Sequence, residues 1–217
     1  ENLQHTGSFK VRGALNKVLS LSDEDRAKGI VTASTGNHGM AVAFALRQLN
    51  QRAIAFVPEN SHETKLAGIR RAGSEIRVHG DDTAITEAYA RQYALDNGMT
   101  FISPYNDPFI VAGQGTIAVE LTRQLDHIDA VFVAVGGGGL ISGIASYLKA
   151  VAPHVQIIGC SPQNSNVMEQ SVQAGEILDL PSLPTLSDGT AGGIEPGAIT
   201  FPICQQLVDE FVSVTED

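Results

Sequence analysis

The chain has no tryptophan, two cysteines in 217 residues, and 14 lysines and arginines against 24 aspartates and glutamates. Each shortage excludes something. A net charge of −10 without any Lys/Arg cluster argues against a nucleic-acid binder, because phosphate backbones are held chiefly by counter-charge. Cys160 and Cys204 stand far apart and without metal-ligand spacing. That excludes a disulfide scaffold and a cysteine-built zinc site, and suits a reducing, cytoplasmic compartment. No apolar run is long enough to span a membrane, and no signal peptide is visible. The sequence opens without Met on Glu1-Asn2-Leu3-Gln4 and closes on Val212-Ser213-Val214-Thr215-Glu216-Asp217. An internal piece of a longer protein is therefore expected, with part of the active site outside it.

What is present is globular. Apolar residues make up 43% and charged residues 18%, a balance that supports a sizeable core in one large or two small domains. Helical and extended patterns alternate. Helices are expected over 9–21, 22–29, 36–49, 62–72, 82–97, 107–125 and from the glycine run to 151. Strands are expected over 30–33, 53–57, 75–78, 100–102, 129–135 and 155–159, with another at the C-terminal end. The run 129–135 is continuously apolar after its first residue, Asp129, as in the middle of a parallel sheet. Residues 181–202 are rich in Gly, Pro, Ser and Thr and read as an irregular loop. Such alternation predicts an α/β fold, with parallel strands flanked by helices.

Three segments carry chemistry. Lys10 lies in Thr6-Gly7-Ser8-Phe9-Lys10-Val11-Arg12-Gly13-Ala14, among small and apolar neighbours where a desolvated ammonium loses its proton easily and becomes a carbonyl nucleophile. Ser34-Thr35-Gly36-Asn37-His38-Gly39 follows a strand and opens a helix, offering hydroxyls, an amide and backbone N–H groups to a carboxylate. N-capping is the ordinary use of Ser34. Gly136-Gly137-Gly138-Gly139-Leu140 also follows an apolar strand, where four glycines make sense as a turn whose amides converge on an anion, or else as a hinge. It is not a Walker loop, since Gly139 is followed by Leu140-Ile141-Ser142. Nor is it a dinucleotide loop: the third glycine comes one residue late, at Gly143, and the next strand ends Gly159-Cys160-Ser161 with no acid. An amine, ring-orienting polar groups and a phosphate cradle are the parts that a pyridoxal phosphate enzyme needs.

These motifs, together with Ala112-Gly113-Gln114-Gly115-Thr116, stand in the order and spacing of fold-type II pyridoxal-phosphate enzymes. Within that group the whole chain resembles the threonine/serine dehydratase and serine racemase family. The resemblance implies a two-domain, tryptophan synthase β-like fold, with a small mobile domain at 29–105 and a large one formed by 1–28 and 106–217. It implies that Lys10 forms the Schiff base with pyridoxal 5'-phosphate, that Phe9 lies against the cofactor, and that Asn37 bonds the ring's 3-hydroxyl oxygen. The backbone of Gly136, Gly137, Gly138, Gly139 and Leu140 is expected to hold the phosphate. Ser34, Thr35, Asn37 and His38 are expected around the substrate carboxylate, with Tyr105 on the substrate side or, equally, packed on the core. The implied reaction is elimination: Lys10 takes the Cα proton of L-threonine, L-serine or a similar β-hydroxy amino acid, which leaves as a 2-oxo acid and ammonia. The implied partners are a small amino-acid substrate and, in the complete protein, further copies of the chain.

Three departures leave alternatives open. Serine racemases carry a serine at Thr35 and many dehydratases an alanine, so racemisation stays beside elimination. The stretch Ser161-Pro162-Gln163-Asn164-Ser165-Asn166-Val167 has no Asp or Glu, which speaks against the divalent-metal site of racemase-like members. The run Asp188-Gly189-Thr190-Ala191-Gly192-Gly193-Ile194-Glu195-Pro196-Gly197 begins like a dehydratase loop but continues with unusual glycines, as in a subgroup linked to hydroxyectoine breakdown. A phosphate-binding α/β domain without covalent catalysis is the remaining reading from another class.

Overall fold

The computed structural model describes residues 1–59, 61, 63–81 and 83–217. His62 and Asp82, expected as helix starts, lie outside the described residues. The chain divides into two compact units, Glu1–Pro104 and Tyr105–Asp217. Residues 1–28, expected with the second half of the chain, fall in the first unit by their contacts.

In the first unit a parallel sheet has the order β3-β2-β1-β4, formed by β1 (Ile30–Ala33), β2 (Ala53–Val57), β3 (Glu75–Val78) and β4 (Thr100–Phe101). Its register sets Ile30 beside Ala53 and Thr100, and Ile54 beside Glu75. The helices are α1 (Lys10–Ser20), α2 (Asp23–Ala27), α3 (Asn37–Arg47), α4 (Glu63–Ala72) and α5 (Thr83–Asp96). Ser22 starts α2 as its composition suggests, its hydroxyl accepting from the Asp25 amide at 3.0 Å. The apolar sequence of α3 buries Ala41, Val42, Ala43, Ala45 and Leu46, and α1 packs on it. Each large aliphatic side chain so enclosed contributes about 1.5–3 kcal/mol. This packing fixes the starts of α1 and α3, which carry Lys10 and Asn37.

The second unit contains α6 (Pro108–Gln124), β5 (Ala130–Ala134), α7 (Gly139–Val151), β6 (Gln156–Pro162), α8 (Val167–Ala174), α9 (Thr200–Leu207) and β7 (Glu210–Val214). Asp107 caps α6, its carboxylate accepting from Phe109 N at 2.8 Å, and Pro108 takes the position where a missing N–H costs nothing. The helices α6 and α7 pack backbone against backbone. A Cβ on Gly143 would meet Val111 O at 2.3 Å, and one on Gly115 would meet Gly143 O at 2.8 Å. The glycine that falls out of step with a dinucleotide loop therefore serves helix packing.

Two expectations need correction here. The strands of this chain are ordered β5-β6-β7, all parallel, so β6 lies between the other two and β5 stands at the edge of the three. Its apolar run hides a one-sided pattern: Val133 and Val135 are buried, whereas Phe132 is 71% exposed. The loop expected over 181–202 ends early, because α9 begins at Thr200, and α8 lies in a stretch for which no helix was expected.

Candidate active site

Lys10 is the first residue of α1. Its amine donates to the carbonyl of Pro104 at 3.0 Å and stands 5.3 Å from the centre of the Phe9 ring. Burial lowers its pKa from 10.5 to about 8, opposed by the negative charge of Glu87. Such an amine exists largely deprotonated in mildly alkaline solution, with its lone pair available. Just upstream, the hydroxyls of Thr6 and Ser8 are buried without a hydrogen-bond partner among the described residues. Helix α1 has no side-chain cap, so Ser8 is not spent on that ordinary task. Buried hydroxyls without partners are costly in a native protein, and a catalytic role or a bound group is among the reasons they are kept.

The loop after β1 leads from Ser34 into the start of α3. Ser34 Oγ accepts from the Gly36 amide at 3.2 Å, so it braces the turn and does not cap α3. Gly39 is required by close packing, since a Cβ there would meet Ser34 O at 2.8 Å. Asn37 is exposed at the start of α3, and its side chain and that of Thr35 have no hydrogen-bond partner among the described residues. The imidazole of His38 is instead enclosed, 3% exposed, with Nε2–H donating to Ile102 O at 3.1 Å. Burial, followed by the nearby Lys10 charge, pushes its pKa down to about 3, so it stays neutral. What His38 offers outward is its backbone amide, a first-turn donor of α3.

In the second unit Gly136 to Gly139 connect β5 to α7. Gly138 adopts φ +82°, a left-handed conformation that glycine reaches without strain. Protein packs closely on three of the turn's glycines: a Cβ would meet Thr190 O at 2.6 Å from Gly136, the Tyr105 ring at 2.5 Å from Gly137, and Met168 Cε at 2.7 Å from Gly138. Thr200 Oγ1 donates to Gly137 O at 2.7 Å and fixes the turn's carbonyl. The amides of Gly136, Gly137, Gly138, Gly139 and Leu140 donate to no acceptor among the described residues, although Gly138 and Gly139 are buried. Free amides at the start of a 13-residue helix have the chemistry that an anion such as phosphate asks for. These residues fit pyridoxal phosphate in its phosphate, and the first unit fits it in its amine.

Tyr105 packs on this turn, and its hydroxyl accepts from the Glu195 amide at 2.8 Å. Asn106 Oδ1 accepts from the Ile199 amide at 2.9 Å. The unusual run 188–197 is thereby pinned against the glycine turn. Cys204, beside Gly138, is fully buried, and its pKa is raised to about 11 by burial, so it is an inert thiol. Sequence reasoning missed Pro104, Thr190 and Thr200. The first two act through carbonyl oxygens, which leave no trace in residue type. Thr200 was hidden in a stretch read as loop.

A family model described as "Pyridoxal-phosphate dependent enzyme" matches residues 1–217. The chain is 41% identical over 217 residues to a threonine dehydratase of Nicotiana attenuata and 42% identical to an L-threonine ammonia-lyase of Geobacter sulfurreducens. All of this chain is covered in both matches, but it spans only 36% and 54% of those relatives' own lengths. The structure of maize serine racemase superposes with a TM-score of 0.94 at 35% identity, covering 100% of this chain and 65% of that one. Among the described residues, no helix is long and apolar enough to cross a membrane.

Proposed function

The chain belongs to the pyridoxal-phosphate-dependent enzyme family, and from that premise we propose that it carries the catalytic residues of an ammonia-lyase acting on L-threonine, L-serine or a similar β-hydroxy amino acid. The observation that carries the proposal is the Lys10 amine, half-buried, depressed in pKa and held by a single carbonyl. When bound, the cofactor supplies an aldehyde for an amine to capture and a ring that spreads negative charge away from the substrate's α-carbon.

The rest is done by this chain's residues. The amides of Gly136 to Leu140 would hold the phosphate, and the Asn37 side chain would bond the ring's oxygen substituent. Thr35 and the amides at the start of α3 receive the substrate carboxylate, with Ser34 bracing their turn. Lys10, once its nitrogen is free, accepts the α-proton. The β-hydroxyl leaves as water, and hydrolysis of the resulting enamine by water gives the 2-oxo acid and ammonia. The same reading makes the complete protein a cytoplasmic homo-oligomer.

The test uses the complete protein with bound cofactor. Borohydride is expected to lock the cofactor onto Lys10, located by peptide mass spectrometry, and L-threonine or L-serine to yield 2-oxo acid and ammonia. Label at any other lysine overturns the assignment of the amine. Accumulation of the D-isomer without ammonia replaces elimination by racemisation, the reading that the partner-free hydroxyl of Thr35 and the likeness to maize serine racemase keep open.

A further inference from the structure

We infer that the carbonyl of Pro104 is the docking point of the Lys10 amine whenever that nitrogen is not covalently engaged, and that Thr32 and His38 are positioning residues that hold this carbonyl in place through Ile102. The inference rests on the role of Lys10 proposed above.

The geometry starts from a short strand. β4 has only two residues, and its last rung to β1 is the bond from Ile102 N to Val31 O at 2.9 Å. Beyond that rung the sheet does not continue. Two side chains take over. Thr32 Oγ1 and His38 Nε2–H both donate to Ile102 O, at 3.0 and 3.1 Å, and so occupy both lone pairs of one carbonyl. Thr32 is 0% exposed and His38 3% exposed. A valine and a leucine in these places would leave the buried Ile102 carbonyl without donors, and one donor would suffice to satisfy it, so the pair holds this carbonyl more firmly than satisfaction alone requires. Two residues further on, the Pro104 carbonyl receives the Lys10 amine at 3.0 Å.

The use lies in the chemistry asked of the amine. A neutral amine has two N–H bonds and one lone pair, and donating one N–H to a fixed acceptor confines the lone pair to a narrow range of directions. A nitrogen that alternates between covalent attachment and proton transfer needs a resting acceptor, and a drifting acceptor would blur the orientation of the base. The acceptor must also not titrate, and a backbone carbonyl does not. His38 suits its place because it stays neutral there, next to the amine, while Glu87 on α5 is the acidic group whose charge reaches Lys10.

The test needs no turnover. In the cofactor-free complete protein, labelling of Lys10 by trinitrobenzenesulfonate is followed against pH by peptide mass spectrometry. Thr32→Val keeps the shape and removes the donor, and it is expected to speed Lys10 labelling roughly fivefold, the population change set by one neutral hydrogen bond. Thr32→Ser, which keeps a hydroxyl, is expected to restore the wild-type rate. Equal rates in Thr32→Val and wild type, or no rescue by serine, overturn the inference. A measurement on the unmutated chain guards against misfolding. With carbonyl-13C proline, the Pro104 signal, assigned by its loss in Pro104→Ala, is expected to titrate with Lys10 and to stop doing so in Lys10→Met. A flat signal in wild type overturns the contact. Failure of borohydride to trap cofactor on Lys10 would instead strike the proposed reaction, since neither labelling nor the carbonyl signal depends on it.

Discussion

The ring of Tyr105 occupies the space that a side chain on Gly137 would need. A Cβ built on Gly137 meets two ring carbons at 2.5 Å, and the ring is tethered at its far end, where the Tyr105 hydroxyl accepts from the Glu195 amide at 2.8 Å. Glycine at 137 is therefore dictated by a neighbour that cannot swing away without losing a hydrogen bond. Gly137→Ala is expected to cost about 1–3 kcal/mol of stability by overpacking, and to weaken cofactor binding. Tyr105→Phe alone is expected to cost about 1 kcal/mol, the value of the lost bond. Removing the obstacle should relieve the clash, so Gly137→Ala combined with Tyr105→Ala should cost less than the sum of the two single changes. Denaturant unfolding and titration with pyridoxal phosphate measure both effects, and strict additivity would contradict the packing argument.

Asn37 poses the opposite case. Its side chain is exposed and bonds no described residue, so the fold asks nothing of it. Asn37→Ala is expected to leave the unfolding midpoint within about 0.5 kcal/mol of wild type while weakening cofactor binding and altering the absorption of the bound cofactor. A stability loss well beyond that, with binding unchanged, would make Asn37 a structural residue.

His38 writes its burial into the pH dependence of stability. Its pKa is near 3 in the folded chain and near 6.5 when unfolded, so the unfolded chain binds more protons between these values. Stability then falls as pH drops from 6.5 toward 3, by about 2 kcal/mol at pH 5. His38→Gln is expected to lose stability at neutral pH but to show a flatter curve in that window. Guanidinium unfolding of both proteins at pH 7, 6 and 5 gives the difference curve. Parallel curves would mean that His38 titrates normally.

Much of this arrangement was legible from residue pattern. Ile30–Ala33, Ala53–Val57 and Glu75–Val78 are strands at the boundaries expected of them, because Gly, Pro and polar residues bracket each β-rich run. Ser22 and Asp107 announced α2 and α6 by their capping chemistry. That β5 pairs with β6 was not legible, since which strand pairs with which is settled by tertiary contacts. Helix α9 was obscured by Pro202, which a first helical turn tolerates but which read as loop composition. Within the candidate site, Lys10 and the glycine turn stood out by residue type. The acceptor of the Lys10 amine did not, because a carbonyl belongs to every residue alike.

Lys10 itself yields the sharpest prediction, because a group placed for chemistry should cost the fold something. Its pKa is about 8 when folded against 10.5 in water, with burial as the larger cause and Glu87 opposing it. Between these values the unfolded chain binds more protons than the folded one, so stability rises with pH across the window. Below pH 8 the penalty is present in full, because there the folded protein must either bury a charge or give up a proton that the unfolded chain keeps. Lys10→Met fills similar space without a titrating group. It is expected to be more stable than wild type at pH 7, and the advantage should shrink as pH climbs past 8. Near pH 10.5 the order should reverse slightly, since methionine leaves the Pro104 carbonyl without its donor, a loss of about 1 kcal/mol. Unfolding midpoints of the cofactor-free proteins at pH 7, 9 and 10.5 decide it. A gap that does not change with pH would show that the amine is solvated in the folded chain. A gap that closes and inverts would show a lysine kept at the expense of stability, as expected of a residue retained for reaction rather than for packing.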